Sequence, residues 1–249
     1  MTITSAHYVE VAERTITHVA TTQAGEVARA ADLLTATLQA GGVVQAFGCG
    51  HSEALAMEIA GRAGGLVPTN RIALRDLVLY GGEPTAVLAD PNLERTPAVA
   101  HRLYELAPIK PDDAFVIASN SGVNGAVVEM ALLVKQRGHA LIAITSLAHS
   151  ARVGSRHDSG RKLADLADVV LDNGAPYGDA ALDYGGGAVG AVSSITAALL
   201  AQQIVTEVVA RLLALGVTPP VYLSDNVPGG REHNTVLEAR YAGRIRRTA

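Results

Sequence analysis

Short apolar runs that stop abruptly in small polar residues, each followed by apolar positions at helical spacing, recur along the chain. Val43 to Phe47 is one such run; Gly48-Cys49-Gly50-His51-Ser52 follows, then Leu55, Met57, Ile59, Ala60 and Ala63 as a helical stretch. Phe115 to Ala118 is a second, followed by Ser119-Asn120-Ser121-Gly122-Val123-Asn124 and by Val127, Met130, Ala131 and Val134. Ala140 to Ile144 and Val169 to Leu171 are further runs of the same kind. A continuous apolar run without alternation marks a strand buried on both faces, so the pattern predicts a parallel sheet in an α/β domain.

The remaining segments complete the outline. Tyr8 to Gln39 is a helical pattern broken softly near Thr21 to Gly25, read as two helices or one bent one, and Gly41-Gly42 ends it. Gly64-Gly65 is expected to stop the helix that begins after Ser52, and a strand is placed loosely between Leu66 and Thr85. Pro97 to Leu106 reads as helix, whereas Leu147 to Asp165 is polar, with His149, Arg152, Arg156, His157, Arg161 and Lys162, and reads as a solvated loop or a substrate lid. Asp172 to Gly190 is glycine-rich and precedes a helix from Ala191 to Leu215 that is apolar nearly all round and is expected to be buried, either in the core or in a subunit interface. Beyond it lie the polar turn Asn226 to Asn234 and a basic tail with Arg244, Arg246 and Arg247. The division is an N-terminal helical segment (1–40), an α/β core (41–215) and a C-terminal loop and tail (216–249), all in one domain.

Two of these loops carry chemistry. In a parallel sheet with right-handed crossovers the carboxyl ends of the strands open on one edge, so Ser52 and the loop Ser119 to Asn124 can converge on one ligand. Hydroxyls, amides, a glycine that allows close backbone approach and the first N–H groups of a helix suit an anion, phosphate above all; the same residue types also make an ordinary turn and helix cap. Position 53 is Glu53 where a dinucleotide motif needs a third glycine, and no glycine-rich loop carries the lysine of a P-loop. Glu58 is the only charged residue between Ala54 and Gly61, a candidate base if buried, although Arg62 stands four residues on at the spacing of an ion pair. Glu232 and His233 form a second candidate pair on the Pro-Gly-Gly turn.

Composition narrows the classes. The chain has 249 residues, 49% hydrophobic and 18% charged, enough for one sizeable core. A net charge of -4 with basic residues clustered only at the end argues against nucleic acid. The single cysteine excludes an internal disulfide, the start MTITSAHYVEV lacks a secretory pattern, and no uninterrupted apolar run reaches the ~18 residues that span a bilayer. The expectation is a cytoplasmic protein with no membrane partner.

Gly50-His51-Ser52 and Ser119-Asn120-Ser121-Gly122-Val123-Asn124 resemble the phosphosugar loops of the sugar isomerase (SIS) domain family. The longer strings GHSEALAMEIAGRAGGLVP, SNSGVNGAVVEMAL, LADLADVVLDNGAPYGD and NVPGGREHN are similar to stand-alone bacterial SIS proteins related to N-acetylmuramic acid 6-phosphate etherases, and cover nearly the whole chain. The resemblance implies a three-layer, doubly wound, flavodoxin-like sheet with extra terminal helices, and a phosphosugar held by Gly50, His51, Ser52, Ser119, Asn120, Ser121, Gly122 and Asn124. It further implies a homodimer with the site near the subunit interface, and a role in ring opening for Glu232 or His233. Arg231 departs from the acid expected in the narrower group. The zinc-binding phosphoheptose isomerases of this fold place a histidine and a carboxylate where Glu58 and Arg62 stand, and arginine is no ligand, so no metal and no cofactor are expected.

Two function classes follow, an enzyme on an amino-sugar 6-phosphate and a sensing module; no effector domain is visible, which favours the enzyme. Isomerisation and elimination share removal of the proton on carbon 2. Retention of the N-acetyl group favours elimination, so the expected reaction is dehydration of N-acetylglucosamine 6-phosphate, with Glu58 as base and aldose–ketose isomerisation as the alternative.

Overall fold

The computed structural model describes residues 3–247; the first two positions of the 1–40 segment and the last two of the 216–249 segment lie outside it. Two helices, α1 (Ser5–Thr22) and α2 (Ala24–Gln39), lead into β1 (Val44–Gly48), α3 (Glu53–Ile59), β2 (Thr69–Ile72), α4 (Asp76–Leu79) and α5 (Ala98–Leu106). The core continues through β3 (Ala114–Ala118), α6 (Gly125–Gln136), β4 (Ala140–Thr145), α7 (Leu147–Ser150) and β5 (Val169–Asp172). A hairpin of β6 (Ala180–Asp183) and β7 (Ala188–Ala191) precedes α8 (Ser193–Ala214) and α9 (Gly230–Ala239).

The five core strands are all parallel, in the order β2-β1-β3-β4-β5. Side-chain alternation explains why the runs read as continuously apolar. Ala114, Val116 and Ala118 of β3, with Ile142 and Ile144 of β4, pack on one face with residues of α2, α3 and α8. Phe115 and Ile117, with Leu141 and Ala143, pack on the other with residues of α5 and α6. Burying one such side chain contributes about 1.5–3 kcal/mol, so a strand covered on both faces is fixed along its whole length. The result is the three-layer, doubly wound α/β architecture expected.

Four local readings change. α3 ends at Ile59 rather than at Gly64-Gly65, because Ala60 leaves the helix in an extended conformation and Gly61 takes φ +79°. The glycine-rich stretch before α8 folds into the antiparallel β6–β7 hairpin, too short and too small in side chain to show a pattern. α8 is long and apolar enough by length and composition to cross a membrane, yet it lays Ala197, Leu200, Ala201 and Ile204 against the core while Ile195 and Leu213 stay exposed, so it is one-sided rather than wholly buried. The basic tail is folded onto the domain: Arg244 pairs with Asp113, the Asn70 amide donates to the Arg244 carbonyl, and the Arg246 N–H donates to Asn70 Oδ1 at 2.7 Å.

Asp113 is the anchor of that strap. Its buried carboxylate also accepts from the Val43 N–H at 2.8 Å, Gln45 Nε2 at 2.9 Å and the Lys110 N–H at 3.0 Å, joining the starts of β1 and β3 to the end of the chain. Replacing Arg244 by Met leaves that carboxylate without its cation and is expected to lower the unfolding free energy by about 3 kcal/mol, read by urea denaturation; a loss below roughly 0.5 kcal/mol would show that the three neutral donors suffice.

Candidate functional site

The carboxyl ends of the sheet strands open onto a cavity of about 290 Å³. His51 and Ser52 line it from the β1–α3 connection, Leu55 and Glu58 from α3, Ala118, Ser119 and Asn120 from the end of β3, Ile144 from β4, and Asn173 and Asp179 from the segment after β5. Ser193, Ser194, Ala197 and Ala198 close it with the first turns of α8. The two loops singled out in the sequence therefore converge. Convergence depends on tight turns: a Cβ on Gly48 would lie 2.3 Å from the Ser52 carbonyl oxygen, and Gly122 adopts φ +67°.

Polar groups in the loops fall into two sets. Ser119 Oγ accepts from the Gly122 N–H at 3.1 Å, so this serine shapes the turn. Asn120 is stapled on both sides: its side-chain oxygen accepts from Asn173 Nδ2 at 3.1 Å, and its carbonyl accepts from the Ser146 N–H at 3.1 Å and Thr145 Oγ1 at 3.3 Å. Thr145 and Ser146 are fully buried and hold the loop from behind. Ser52 and Asn124 stand at the N-cap positions of α3 and α6, and neither side chain caps its helix. At α3 the Glu53 N–H is already bonded to the Gly50 and His51 carbonyls, whereas the N-terminal end of α6 keeps the partial positive charge that suits an anion.

Asn124 has other partners. Its amide nitrogen donates to Glu94 Oε1 at 2.8 Å and its oxygen accepts from Arg156 Nη1 at 3.1 Å. Glu94 thus sits between the two loops, with Oε2 3.6 Å from where a Cβ on Gly50 would stand; it occupies a short 3₁₀ turn, Leu93–Arg95, that no periodicity marks in the sequence. The polar segment Leu147 to Asp165 is neither a free loop nor a cover on the cavity. Arg156 N–H donates to the Val123 carbonyl at 3.0 Å, Leu163 N–H to the Gly122 carbonyl at 2.9 Å, and His157 Nε2 meets Glu129 Oε2 at 2.7 Å, so it braces the β3–α6 loop from outside. Burial would raise Glu129, but hydrogen bonds from His101 and His157 outweigh it and hold this carboxyl below its ordinary range.

Glu58 lies in the last turn of α3, half-buried, and carries the ion pair with Arg62 that its spacing allowed. Gln202 Nε2, from α8, donates to the same oxygen, Oε1, at 2.6 Å. Asp179 was not foreseen. It holds φ +70°, accepts through Oδ1 from the N–H groups of Val192 and Ser193 at 3.2 and 2.9 Å, and accepts through Oδ2 from Ser193 Oγ at 2.6 Å. It caps α8 from the cavity wall; the Gly178-Asp179 pair, both left-handed, is the turn signal that could have marked it.

Gly50, Ser121, Gly122 and Asn124 lie in the two loops without lining the cavity, and Glu232 and His233 lie in the first turn of α9, also away from its walls. His233 Nε2 is 3.0 Å from the Val221 carbonyl oxygen, and α9 packs Leu237 with Val67 and Tyr222. Among the described residues no three His, Cys, Asp or Glu side chains gather as a metal set.

A SIS-domain profile matches residues 7–146, more than half of the chain. A UPF0309 protein of Listeria monocytogenes is 42% identical over 226 residues, 90% of this chain and 91% of that one. A second, from Caldanaerobacter subterraneus, is 34% identical over 244 residues, 96% of this chain and 98% of that one. Among solved structures, the phosphoheptose isomerase GmhA of Neisseria gonorrhoeae superposes with a TM-score of 0.55 at 21% identity, over 83% of this chain and 96% of that one. A phosphoheptose isomerase from Francisella tularensis gives 0.56 at 18%, over 83% and 98%. The fold is that of the SIS phosphosugar isomerases. The chain belongs to the SIS-domain family, alongside the UPF0309 proteins.

Two outcomes check the geometry. Asp179→Ala removes the α8 cap and places a residue with a poor left-handed preference at φ +70°, for an expected loss of about 2 kcal/mol; Asp179→Asn, which keeps both features, should lose less than half of that in the same denaturation experiment, and equal losses would contradict the capping role. Cys49 is buried, and burial, with the nearby Glu94 and Glu53, pushes its thiol to about 12. It should resist iodoacetamide at pH 8 until the protein is unfolded; rapid labelling of the folded protein would contradict this.

Proposed function

We propose that this cavity binds an amino-sugar 6-phosphate and that the protein is a lyase acting on it, dehydrating N-acetylglucosamine 6-phosphate. The observation that carries the reading is the meeting of Ser52, Ser119, Asn120 and the Glu58 carboxylate around one cavity of about 290 Å³. Family membership supports a phosphosugar ligand, as do the phosphoheptose isomerases among the fold relatives. The phosphate is assigned to Ser52 and Ser119 with the adjacent backbone N–H groups, and His51 and Asn120 complete the substrate contacts; Gly50, Ser121, Gly122 and Asn124 are assigned to shaping the two loops that present them.

In the proposed step, the sugar opens, Glu58 takes the proton from carbon 2, the electron pair forms the bond between carbons 2 and 3, and the hydroxyl on carbon 3 leaves as water after gaining a proton. With Gln202 and Arg62 bonding Oε1 of Glu58, Oε2 is the oxygen assigned to the carbon-bound proton. Glu232 or His233 assists ring opening or the leaving hydroxyl from the neighbouring copy of a cytoplasmic homodimer, since neither lines the cavity of its own chain. The exposed Met57, Ile195 and Leu213 support an assembly of this kind. The isomerase names of the fold relatives favour a second reading, return of the proton to carbon 1.

Incubation with N-acetylglucosamine 6-phosphate separates these: loss of one water with new conjugated ultraviolet absorbance is expected, and an isobaric ketose would replace the lyase by the isomerase. Unchanged sugar that nevertheless stabilises the protein would leave a binding module. Glu58→Gln should abolish turnover while retaining thermal stabilisation by the phosphosugar. Ser52→Ala should weaken binding roughly 10- to 100-fold, the value of one hydrogen bond to a charged group; equal stabilisation by the sugar with and without phosphate would remove the reading.

A further inference from the structure

On the wall of the substrate cavity, one asparagine side chain is oriented by a second. Asn173 follows β5 and is only 3% exposed. Its N–H donates to the Thr145 carbonyl at 2.9 Å, which carries the β4–β5 pairing one residue past the strand end and fixes its backbone. Its side-chain oxygen accepts from the Ala175 N–H at 3.0 Å, a turn contact closed within the segment itself.

That contact fixes more than the turn. A backbone N–H can only donate, so the atom facing Ala175 is the Asn173 oxygen and the atom facing Asn120 is Asn173 Nδ2. Asn173 Nδ2 donates at 3.1 Å to Asn120 Oδ1, which leaves the nitrogen of the Asn120 amide as the end still free to bond. Among the described residues the Asn120 nitrogen has no hydrogen-bond partner, and it is not one of the side-chain atoms sealed from solvent without one. Asn120 lines the cavity, so this NH2 group belongs to the cavity surface. The backbone behind it is also held, through the bonds that the Asn120 carbonyl accepts from the Ser146 N–H and Thr145 Oγ1. The donor therefore stands in one place before a ligand arrives.

We propose that Asn173 is a positioning residue that turns the Asn120 amide nitrogen toward the ligand, and that Asn120 Nδ2 thereby selects a ligand oxygen that can only accept. Phosphate oxygens and the carbonyl of an N-acetyl group are of that kind. An amide free to rotate offers nitrogen or oxygen with equal ease and selects neither. A locked one favours an acceptor, which it meets without first being ordered, and disfavours an ammonium, whose N–H groups would face its own. The inference rests on the reading of this cavity as a phosphosugar site and assigns an atom within it.

The experiment is a double-mutant cycle on affinity for N-acetylglucosamine 6-phosphate, read by thermal stabilisation in the Glu58→Gln background so that turnover does not intrude. Asn120→Ala removes a half-buried side chain and should weaken binding about tenfold. Asn173→Ser keeps a hydroxyl that can accept from the Ala175 N–H but is too short to reach Asn120, and should weaken binding about threefold. In the Asn120→Ala background the same Asn173→Ser change should cost less than about 1.5-fold, because it acts through the side chain already removed. Glucosamine 6-phosphate identifies the oxygen: an equal Asn120→Ala penalty assigns the phosphate, and a penalty confined to the N-acetyl sugar assigns the acetamido carbonyl. Unchanged affinity in Asn120→Ala, or an Asn173→Ser penalty as large without the Asn120 side chain as with it, would overturn the proposal and leave the phosphosugar reading in place. A Glu58→Gln protein that binds neither sugar phosphate overturns that reading first, and this proposal with it.

Discussion

Parallel strands put all their carboxyl ends on one edge, and in this molecule everything that bears on function follows from that constraint. With β1, β3 and β4 covered on both faces, the chain has no freedom to place its polar connections elsewhere. Gly48 then allows the β1–α3 connection to fold back within contact of its own strand, and the left-handed Gly122 does the same after β3. Residues of two hydroxyl-bearing loops and the start of α8 end up around one space.

The character of that space separates it from other anion sites. None of its lining residues is lysine or arginine, and its charged side chains are the carboxylates of Glu58 and Asp179. Asp179 is spent on the start of α8, whereas Glu58 has its donors on one oxygen. The phosphate of the proposed ligand would meet hydroxyls and backbone N–H groups there rather than lysine or arginine, and Glu58, whose ion pair with Arg62 is on Oε1, keeps Oε2 for the proposed proton transfer. A polyanion such as nucleic acid finds no basic surface there.

Much of this was legible in the residues. The core strands showed as short apolar runs, interrupted only by Gln45 in β1, because they are packed on both faces, and Ser52 and Ser119 to Asn120 were locatable because abrupt polar loops followed those runs. What escaped notice depends on tertiary partners. Glu94 acquires meaning only by lying between Gly50 and Asn124, and Asp179 only by reaching the start of α8 across a hairpin whose glycine and alanine residues carry no periodic signal. The arginines near the end of the chain read only as a basic tail because a cation's sequence neighbours say nothing of Asp113, 131 positions from Arg244. Glu232 and His233 stood out for their chemistry, and the fold sets them on α9 with Val221 and Leu237 rather than at the cavity.

The most direct measurement is a crystal structure of the protein grown with a hexosamine 6-phosphate. The account requires the phosphorus between the Ser52 and Ser119–Asn124 loops and carbon 2 of the sugar within reach of the Glu58 carboxylate. A sugar bound with its phosphate outside those loops, or with carbon 2 turned away from Glu58, would contradict it.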